Sequence, residues 1–198
     1  MGDQVDAIVI GAGIAGLACA CELAGRLDTV IVVEREVGPG REMSSRNSGV
    51  VHAGIYYPGD SLKTKLCIEG RERLYAWCEA HDVPYQRTGK LIVATNARDE
   101  DRLRELARHA AEVGAGALRL MSAYEAQAQE PELRCALALH SPSSGIVEVH
   151  ELMSSLERAL HEAGGATVYQ TTVQSVERSS SGWLVRTSDT MGRETELR

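Results

Sequence analysis

The sequence predicts an α/β fold in which helices flank a parallel sheet. Three observations predict this class. A β-branched run, VDAIVI at 5–10, leads directly into the glycine-rich turn GAGIAG and a helical pattern. A second β-branched run, TVIVVE at 29–34, completes a strand–helix–strand order. Helix and strand patterns then alternate from about residue 61 onward, as they do in α/β and α+β chains.

Composition excludes several classes of protein. The net charge is -7 and no Lys/Arg block occurs, so nucleic acid is not an expected partner. The five cysteines form no CxxC pair, so we expect neither zinc, nor any other metal, nor a disulfide framework. The uncharged run at 7–21 is short, glycine-rich and preceded by acidic residues, unlike a targeting signal or a membrane span. We expect a cytoplasmic chain, with peripheral contact to the inner membrane left open.

The turn after the first strand has the spacing of a Rossmann-like dinucleotide site. Gly11 permits a tight turn, Gly13 lets the backbone approach a pyrophosphate, and Gly16 lets the next helix pack against the strand. The first helical residues, Ile14 and Ala15, would offer free amides and the positive end of the helix dipole. The alternative is a purely structural strand-to-helix turn.

The second strand ends in an acidic residue, Glu34, close to the roughly 20-residue distance expected for the ribose-binding acid. Its carboxylate could accept hydrogen bonds from a ribose diol and would repel a 2'-phosphate, so NADP is disfavoured. Arg35, the next residue, is expected to contact the same bound dinucleotide. Under the structural alternative, Glu34 is merely solvated.

The stretch SSRNSGVVHAGIYYPGD at 44–60 has neither helical nor strand periodicity. Structureless segments of this length are uncommon in compact domains unless they are functional. A cofactor lying along it would supply partners for its hydroxyls and amides. A polar surface loop is the alternative.

These residues carry a resemblance to a known family. The runs DAIVIGAGIAGLACACELA, VVERE, SSRNSGVVHAGIYYPGDSLKTKLCIEGRERLYAWC and SPSSGIVEVHELM resemble the D-amino-acid-oxidase-like superfamily of FAD-dependent oxidoreductases. Within it they are most similar to the L-2-hydroxyglutarate dehydrogenase/oxidase group. The resemblance implies FAD as cofactor. It also implies a Rossmann-like, glutathione-reductase-type FAD-binding domain with a β-meander, interrupted by an α+β substrate domain.

The resemblance also implies further cofactor contacts. The irregular stretch would follow the FAD pyrophosphate and ribityl chain through Ser45, Arg46, Asn47, Ser48 and Gly49. The backbone of Val173 would contact the adenine.

The run SLKTKLCIEGRERLYAWCEAHD predicts a helix capped by Asp60 or Ser61. Its expected apolar stripe consists of Leu62, Leu66, Leu74 and Cys78.

The next pieces predict the inserted substrate domain at 83–147. Residues 83–96 have strand character, and residues 98–114 have the pattern of a helix that Gly114 can end. SAYE at 122–125 has the form of a capping box that opens another short helix.

Residues 148–198 are expected to resume the FAD-binding domain that residues 1–82 begin. HELMSSLERALHEAGG predicts a helix, and ATVYQTTVQSVERS supplies a third strand that leads into a meander with GWLVRTSD and ETELR. A further strand, a second glycine motif and much of the substrate pocket normally follow in such flavoproteins. We therefore expect a partial chain, and the activity of this part alone is left open.

The implied reaction is hydride transfer from a substrate Cα to flavin N5. The expected substrate is a small 2-hydroxy acid, L-2-hydroxyglutarate oxidised to 2-oxoglutarate, with electrons passed to oxygen or a membrane quinone. Amine or amino-acid oxidation on the same scaffold is the nearest alternative. A noncatalytic dinucleotide-binding fragment is another, and an NAD-linked dehydrogenase is disfavoured because no second βαβ half follows.

His52 is the candidate base, because imidazole suits proton removal from a hydroxyl. A histidine that hydrogen-bonds to the flavin without acid–base work, or that carries the flavin covalently, stays an alternative. Tyr56 and Tyr57 could border the substrate or serve only packing. Cations that could neutralise a substrate carboxylate, or remain solvated surface charges, are Lys63, Lys65, Arg87 and Lys90.

Overall fold

The computed structural model of the protein describes residues 4–180 and 182–198. The described chain forms two compact units. The first unit consists of the residues up to Asn47 together with those from Val149 onward. The second unit is the inserted stretch Ser48–Glu148.

A three-stranded parallel sheet forms the centre of the first unit. The strand β1 (Ala7–Ile10) pairs with β2 (Val30–Val33), which pairs in turn with β9 (Ala166–Val168). The helix α1 (Ile14–Ala24) connects β1 to β2. All three strands run in one direction, so their carboxyl ends meet at the same edge. The predicted βαβ unit is therefore present.

Two helices of the first unit, α1 and α5 (Val149–Glu162), pack against each other. The buried positions of α1 are small or aliphatic, which permits close approach of the two backbones. The Cys21 thiol donates a hydrogen bond to the Leu156 carbonyl oxygen across this contact, with a sulfur–oxygen distance of 2.9 Å. Burial raises the pKa of this thiol.

An antiparallel meander completes the first unit, as the sequence predicts. It consists of β10 (Thr171–Ser179), β11 (Gly182–Asp189) and β12 (Glu194–Leu197), in that spatial order. The register of β10 against β11 shifts between Val173 and Ser175, which marks a bulge just after Val173.

The second unit is built on two small sheets and three helices. One sheet has the order β3 (Val50–Val51), β8 (Gly145–Val147), β4 (Tyr85–Gln86). The other has the order β5 (Lys90–Ala94), β7 (Leu137–Ser141), β6 (Arg119–Ser122). The helices are α2 (Leu62–Ala80), α3 (Ala97–Glu112) and α4 (Ala123–Gln129). Ser122 and Glu125 form the predicted capping box of α4.

The strand-like run 83–96 is divided between the two sheets, because β4 belongs to one and β5 to the other. The break lies at Gly89, which has a φ of +69°. A Cβ atom there would stand 2.6 Å from Nε2 of His140, so only glycine fits this bend without movement of the ring.

The predicted apolar stripe of α2 is wrong in its first half. Leu62 and Leu66 are 68% and 56% exposed. Residues buried on this helix are Thr64, Arg71, Tyr75 and Cys78. Polar side chains that find hydrogen-bond partners share the buried face, so the spacing of leucines alone misplaces it. Ser61 caps the helix, accepting a hydrogen bond from the Thr64 amide at 3.2 Å.

The compact units divide the chain at different positions from the predicted domains. Residues 48–82, expected in the first cofactor segment, lie in the second unit, while the later boundary falls at 148/149. The helix α2 belongs there because its buried Arg71 bonds to Ala53 and Ala115. The assignment of either unit to cofactor or substrate binding stays a prediction.

Candidate functional site

A cavity of about 420 Å³ opens at the carboxyl ends of β1 and β2 in the first unit. Its walls are the glycine turn, the last residue of β2 with the three residues after it at 33–36, the segment 40–44 and the start of β10 at 171–173. Its volume falls within the usual range for small-molecule sites. The carboxyl edge of a parallel sheet is also where α/β folds bind their ligands.

The glycine turn needs two of its glycines for steric reasons. Gly11 has a φ of +99°, and its amide donates a hydrogen bond to the Val33 carbonyl oxygen at 2.8 Å. A Cβ atom on Gly16 would overlap the Gly11 carbonyl oxygen and would stand 3.5 Å from Cγ1 of Val9. The start of α1 therefore lies directly against β1, and Gly13, the residue before the helix, forms part of the cavity wall.

The carboxylate of Glu34 is fixed at the cavity by backbone amides. One oxygen accepts a hydrogen bond from the Ala12 amide at 2.7 Å, and the other accepts from the Glu36 amide at 2.9 Å. A carboxylate has about four acceptor positions, so both oxygens retain capacity for a ligand diol.

Ser44 reaches the N-terminus of α1, a contact that no sequence pattern predicts. Its hydroxyl accepts a hydrogen bond from the Ile14 amide at 3.1 Å. A Cβ atom on Gly13 would stand 3.1 Å from the same hydroxyl oxygen, so Gly13 lets this side chain approach the turn. The 30-residue separation of Ser44 and Ile14 leaves no local sequence signal for the contact.

The segment before Ser44 brings a cation to the cavity. The Gly40 amide donates to the Ala12 carbonyl oxygen at 2.9 Å, which ties this segment to the glycine turn. Arg41 lines the cavity, as does Arg35, which pairs with Glu42. The sequence signal that could have identified Arg41 is a basic residue directly after a Pro-Gly turn.

Val173, the predicted adenine contact, lines the cavity at its position before the bulge in β10. Thr171 and Thr172 lie beside it and were not predicted. The Thr171 amide donates to the Glu34 carbonyl oxygen at 2.9 Å, which anchors the start of β10 to the end of β2.

Other predicted contacts do not line this cavity, namely Ile14, Ala15, Gly16, Ser45, Arg46 and Asn47. The Ser45 hydroxyl donates to the Glu42 carbonyl oxygen at 2.9 Å, and the Asn47 amide group donates to the Ser44 carbonyl oxygen at 2.7 Å. These side chains hold the loop that carries Ser44. The remaining predicted contacts, Ser48 and Gly49, belong to the second unit.

The predicted catalytic residues lie together on one segment of the second unit. His52 is exposed, directly after β3 and next to buried Ala53. Lys90 Nζ lies 4.8 Å from the ring centroid of Tyr56, and Lys63 Nζ lies 4.0 Å from that of Tyr57.

Three side chains hold the backbone of this segment. Arg71, only 8% exposed, donates through Nη1 to the Ala53 carbonyl oxygen at 3.3 Å. A ring nitrogen of His109 bonds to the Tyr57 carbonyl oxygen at 2.8 Å. The Thr64 hydroxyl donates a hydrogen bond to the Pro58 carbonyl oxygen at 2.6 Å. The same Arg71 atom also donates to the Ala115 carbonyl oxygen at 3.0 Å and to the Ser143 hydroxyl at 2.9 Å.

The four cations proposed for a substrate carboxylate separate into two groups. Lys63 and Lys90 lie against the predicted tyrosine pair, whereas Arg87 stacks on Tyr75 at 3.9 Å from the ring centroid. Lys65 is exposed. Among residues 4–180 and 182–198, no group of three or more His, Cys, Asp or Glu side chains could hold a metal ion. In the same part of the chain, no helix has the length and apolar character needed to span a bilayer.

Comparison with known proteins points to one family. A family model described as FAD dependent oxidoreductase matches residues 6–197. The mitochondrial L-2-hydroxyglutarate dehydrogenase of Arabidopsis thaliana is 46% identical over 154 residues, which are 78% of this chain and 32% of that protein. The human mitochondrial enzyme of the same name is 35% identical over 174 residues, 87% of this chain and 38% of that protein.

A bacterial relative of the same name and two solved structures of similar fold also match the chain. L-2-hydroxyglutarate dehydrogenase of Escherichia coli K12 is 30% identical over 92% of this chain and 43% of its own length. Glycine oxidase from Geobacillus kaustophilus superposes with a TM-score of 0.85 at 25% identity, covering 98% of this chain and 54% of that one. FAD-bound L-α-glycerophosphate oxidase from Mycoplasma pneumoniae gives 0.90 at 24% identity, over 98% and 52% of the two chains. The chain thus spans less than half the length of these curated relatives.

Proposed function

Because the chain belongs to the family of FAD-dependent oxidoreductases, we propose that the full-length protein oxidises L-2-hydroxyglutarate to 2-oxoglutarate. The observation that carries the substrate proposal is the 46% identity to the Arabidopsis L-2-hydroxyglutarate dehydrogenase. The family uses FAD, and the cavity at the carboxyl edge of β1 and β2 supplies groups that fit the adenosine diphosphate part of that cofactor.

The proposed FAD contacts follow from the chemistry of the cavity walls. The Gly13 backbone and the Ser44 hydroxyl, both on the cavity wall, suit phosphate oxygens, and Arg41 brings a positive charge to the same cavity. Glu34 suits the ribose diol, and the backbone of Val173 suits the adenine. The stretch from Ser45 to Gly49 stays the proposed route toward the reactive ring.

The proposed chemistry divides the work between cofactor and protein. When bound, FAD supplies the acceptor for the hydride that leaves the substrate Cα. His52 would accept the hydroxyl proton, and its exposed position leaves the imidazole accessible to a substrate. Tyr56 and Tyr57 would border the substrate. Oxygen or a membrane quinone is the proposed final electron acceptor, and a cytoplasmic location stays a prediction.

The test is anaerobic reduction of the flavin. We expect the FAD-loaded full-length protein to lose its visible flavin absorbance when mixed with L-2-hydroxyglutarate, with one equivalent of 2-oxoglutarate formed per flavin. The D-enantiomer serves as control and should leave the absorbance unchanged. Retained absorbance in protein that demonstrably holds FAD would contradict the substrate proposal.

Amine oxidation is a second candidate, favoured by the 0.85 superposition on glycine oxidase at 25% identity. A panel of 2-hydroxy acids and the matching 2-amino acids separates the two functions under the same anaerobic conditions. Reduction by the amino acids alone would support amine oxidation instead.

A further inference from the structure

The chain contains very little lysine. Of its 21 basic residues, 18 are arginine, and the lysines are Lys63, Lys65 and Lys90. Lysine and arginine are both suited to a solvated surface, and this chain has arginine at nearly all of its basic positions. Lysine differs from arginine in carrying a compact charge on a flexible stem, with donors that can rotate. The few lysines are therefore candidates for positions where a guanidinium does not substitute.

Two of these lysines lie over the rings of consecutive tyrosines. Lys63 Nζ is 4.0 Å from the ring centroid of Tyr57, and Lys90 Nζ is 4.8 Å from that of Tyr56. Both distances are within the range of a cation–π contact. Lys63 comes from α2 and Lys90 from β5, so the two consecutive tyrosines each meet a cation from a different element of the second unit.

The charges of these lysines are not used in ion pairs. Within the described part of the chain every ion pair involves an arginine, and no carboxylate oxygen lies within 4.0 Å of either ammonium group. Lys63 also stands in the first turn of α2, where the helix dipole disfavours a cation. Neither position is thus explained by helix stability or by a partner carboxylate.

We propose that the ammonium groups of Lys63 and Lys90 bind the two carboxylates of a dicarboxylic 2-hydroxy acid. The rings of Tyr56 and Tyr57 hold the two ammonium groups in place. This inference rests on the proposed function and specifies what sets its substrate class. Two positive charges complement a dianion, whereas an amino acid would bring an ammonium group of its own toward them. The pair therefore favours a dicarboxylate over a monocarboxylate or a zwitterion.

The test compares three substitutions in the FAD-loaded full-length protein. Lys63→Met and Lys90→Met keep the length of the side chain and remove its charge. Arg73→Met is the control, since it also removes a positive charge from an exposed position of α2, where Arg73 pairs with Glu69 of the same helix. Flavin reduction is measured against the concentration of L-2-hydroxyglutarate and of L-2-hydroxybutyrate, which lacks the second carboxylate.

We expect each of Lys63→Met and Lys90→Met to raise KM for L-2-hydroxyglutarate about tenfold or more, the loss expected for one charge-assisted hydrogen bond. The maximal reduction rate should change little. Each of these two variants should reduce the ratio of kcat/KM for L-2-hydroxyglutarate to that for L-2-hydroxybutyrate, and Arg73→Met should behave as the wild type. Equal FAD content and unfolding midpoints in all variants exclude misfolding as the cause.

Calorimetric binding of 2-oxoglutarate supplies a readout without turnover, and its Kd should rise in the same two variants. Unchanged Kd and KM in both variants, or equal increases for both acids, would contradict the lysine inference alone. A wild-type protein that holds FAD but is not reduced by any 2-hydroxy acid would contradict the proposed function. Binding of 2-oxoglutarate through the two lysines would still be decided by calorimetry in that case.

Discussion

Gly16 gives the sharpest test of the glycine turn, because the structure leaves no space for a methyl group at this position. A Cβ atom at this position would overlap the Gly11 carbonyl oxygen and would lie 3.1 Å from the Gly11 carbonyl carbon. Cβ atoms essentially never come within 3.0 Å of a heavy atom outside their own residue and its chain neighbours, and here the obstacle is backbone rather than a flexible side chain. Gly16→Ala must therefore push α1 away from the turn by about 1 Å.

The magnitude follows from the cost of overpacking, which is about 1–3 kcal/mol. If most of this cost falls on the geometry of the turn that we propose to bind the FAD phosphates, the Kd for FAD should rise about 5- to 150-fold. The assay is fluorescence titration of the deflavinated full-length protein with FAD, together with the thermal unfolding midpoint of the same protein without cofactor.

Gly70→Ala is the matched control, since Gly70 is also a helical glycine and a Cβ atom there meets nothing within 4 Å. That substitution should leave FAD affinity unchanged and stabilise α2 by up to about 1 kcal/mol. If Gly16→Ala matched Gly70→Ala in both FAD affinity and unfolding midpoint, the reasoning about the turn would be wrong.

Three further predictions follow from the described contacts. Glu34→Ala removes the acceptor of two backbone amides and the proposed ribose contact, so the Kd for FAD should rise about tenfold or more; an unchanged titration would refute the assignment. Arg71→Met leaves three oxygen acceptors, two of them buried, without this donor, so the free energy of unfolding should fall by about 3 kcal/mol in urea, and an unchanged urea midpoint would contradict that. Hydrogen bonds from the backbone amide and hydroxyl of Ser122 hold the pKa of Glu125 below its usual 4.5. Because the folded-state pKa is the lower one, the stabilisation is present above 4.5 and is lost as pH falls through the folded value. The unfolding midpoints of wild type and Glu125→Gln should thus differ at neutral pH and converge in acid, whereas a constant difference would count against the capping box.

The parts of the fold that could be predicted depend on short stretches of chain. The conformations of Gly11 and Gly16 follow from a turn that is closed within a few residues. The capping box of α4 is likewise set by two residues three positions apart, Ser122 and Glu125. Such local rules leave few alternatives, so the sequence is sufficient to identify them.

The parts that could not be predicted depend on contacts between distant residues. Ser44 bonds to an amide 30 positions earlier, and Arg71 bonds to a carbonyl 44 positions later. The buried face of α2 carries polar groups, so no pattern of apolar residues reveals it. Val173 could be predicted as an adenine contact only from the family resemblance, since the residues around it give no sign of the bulge that follows.

The bend at Gly89 couples the two sheets of the second unit to each other. Residues 87–89 carry the chain from β4 to β5, and residues 142–144 carry it from β7 to β8, so two short connectors cross between the sheets. The Gly89 amide donates to the Ser144 carbonyl oxygen at 3.0 Å, which joins the connectors themselves. Opening one sheet therefore strains the other, and their amide protons should exchange with solvent as a single cooperative foldon.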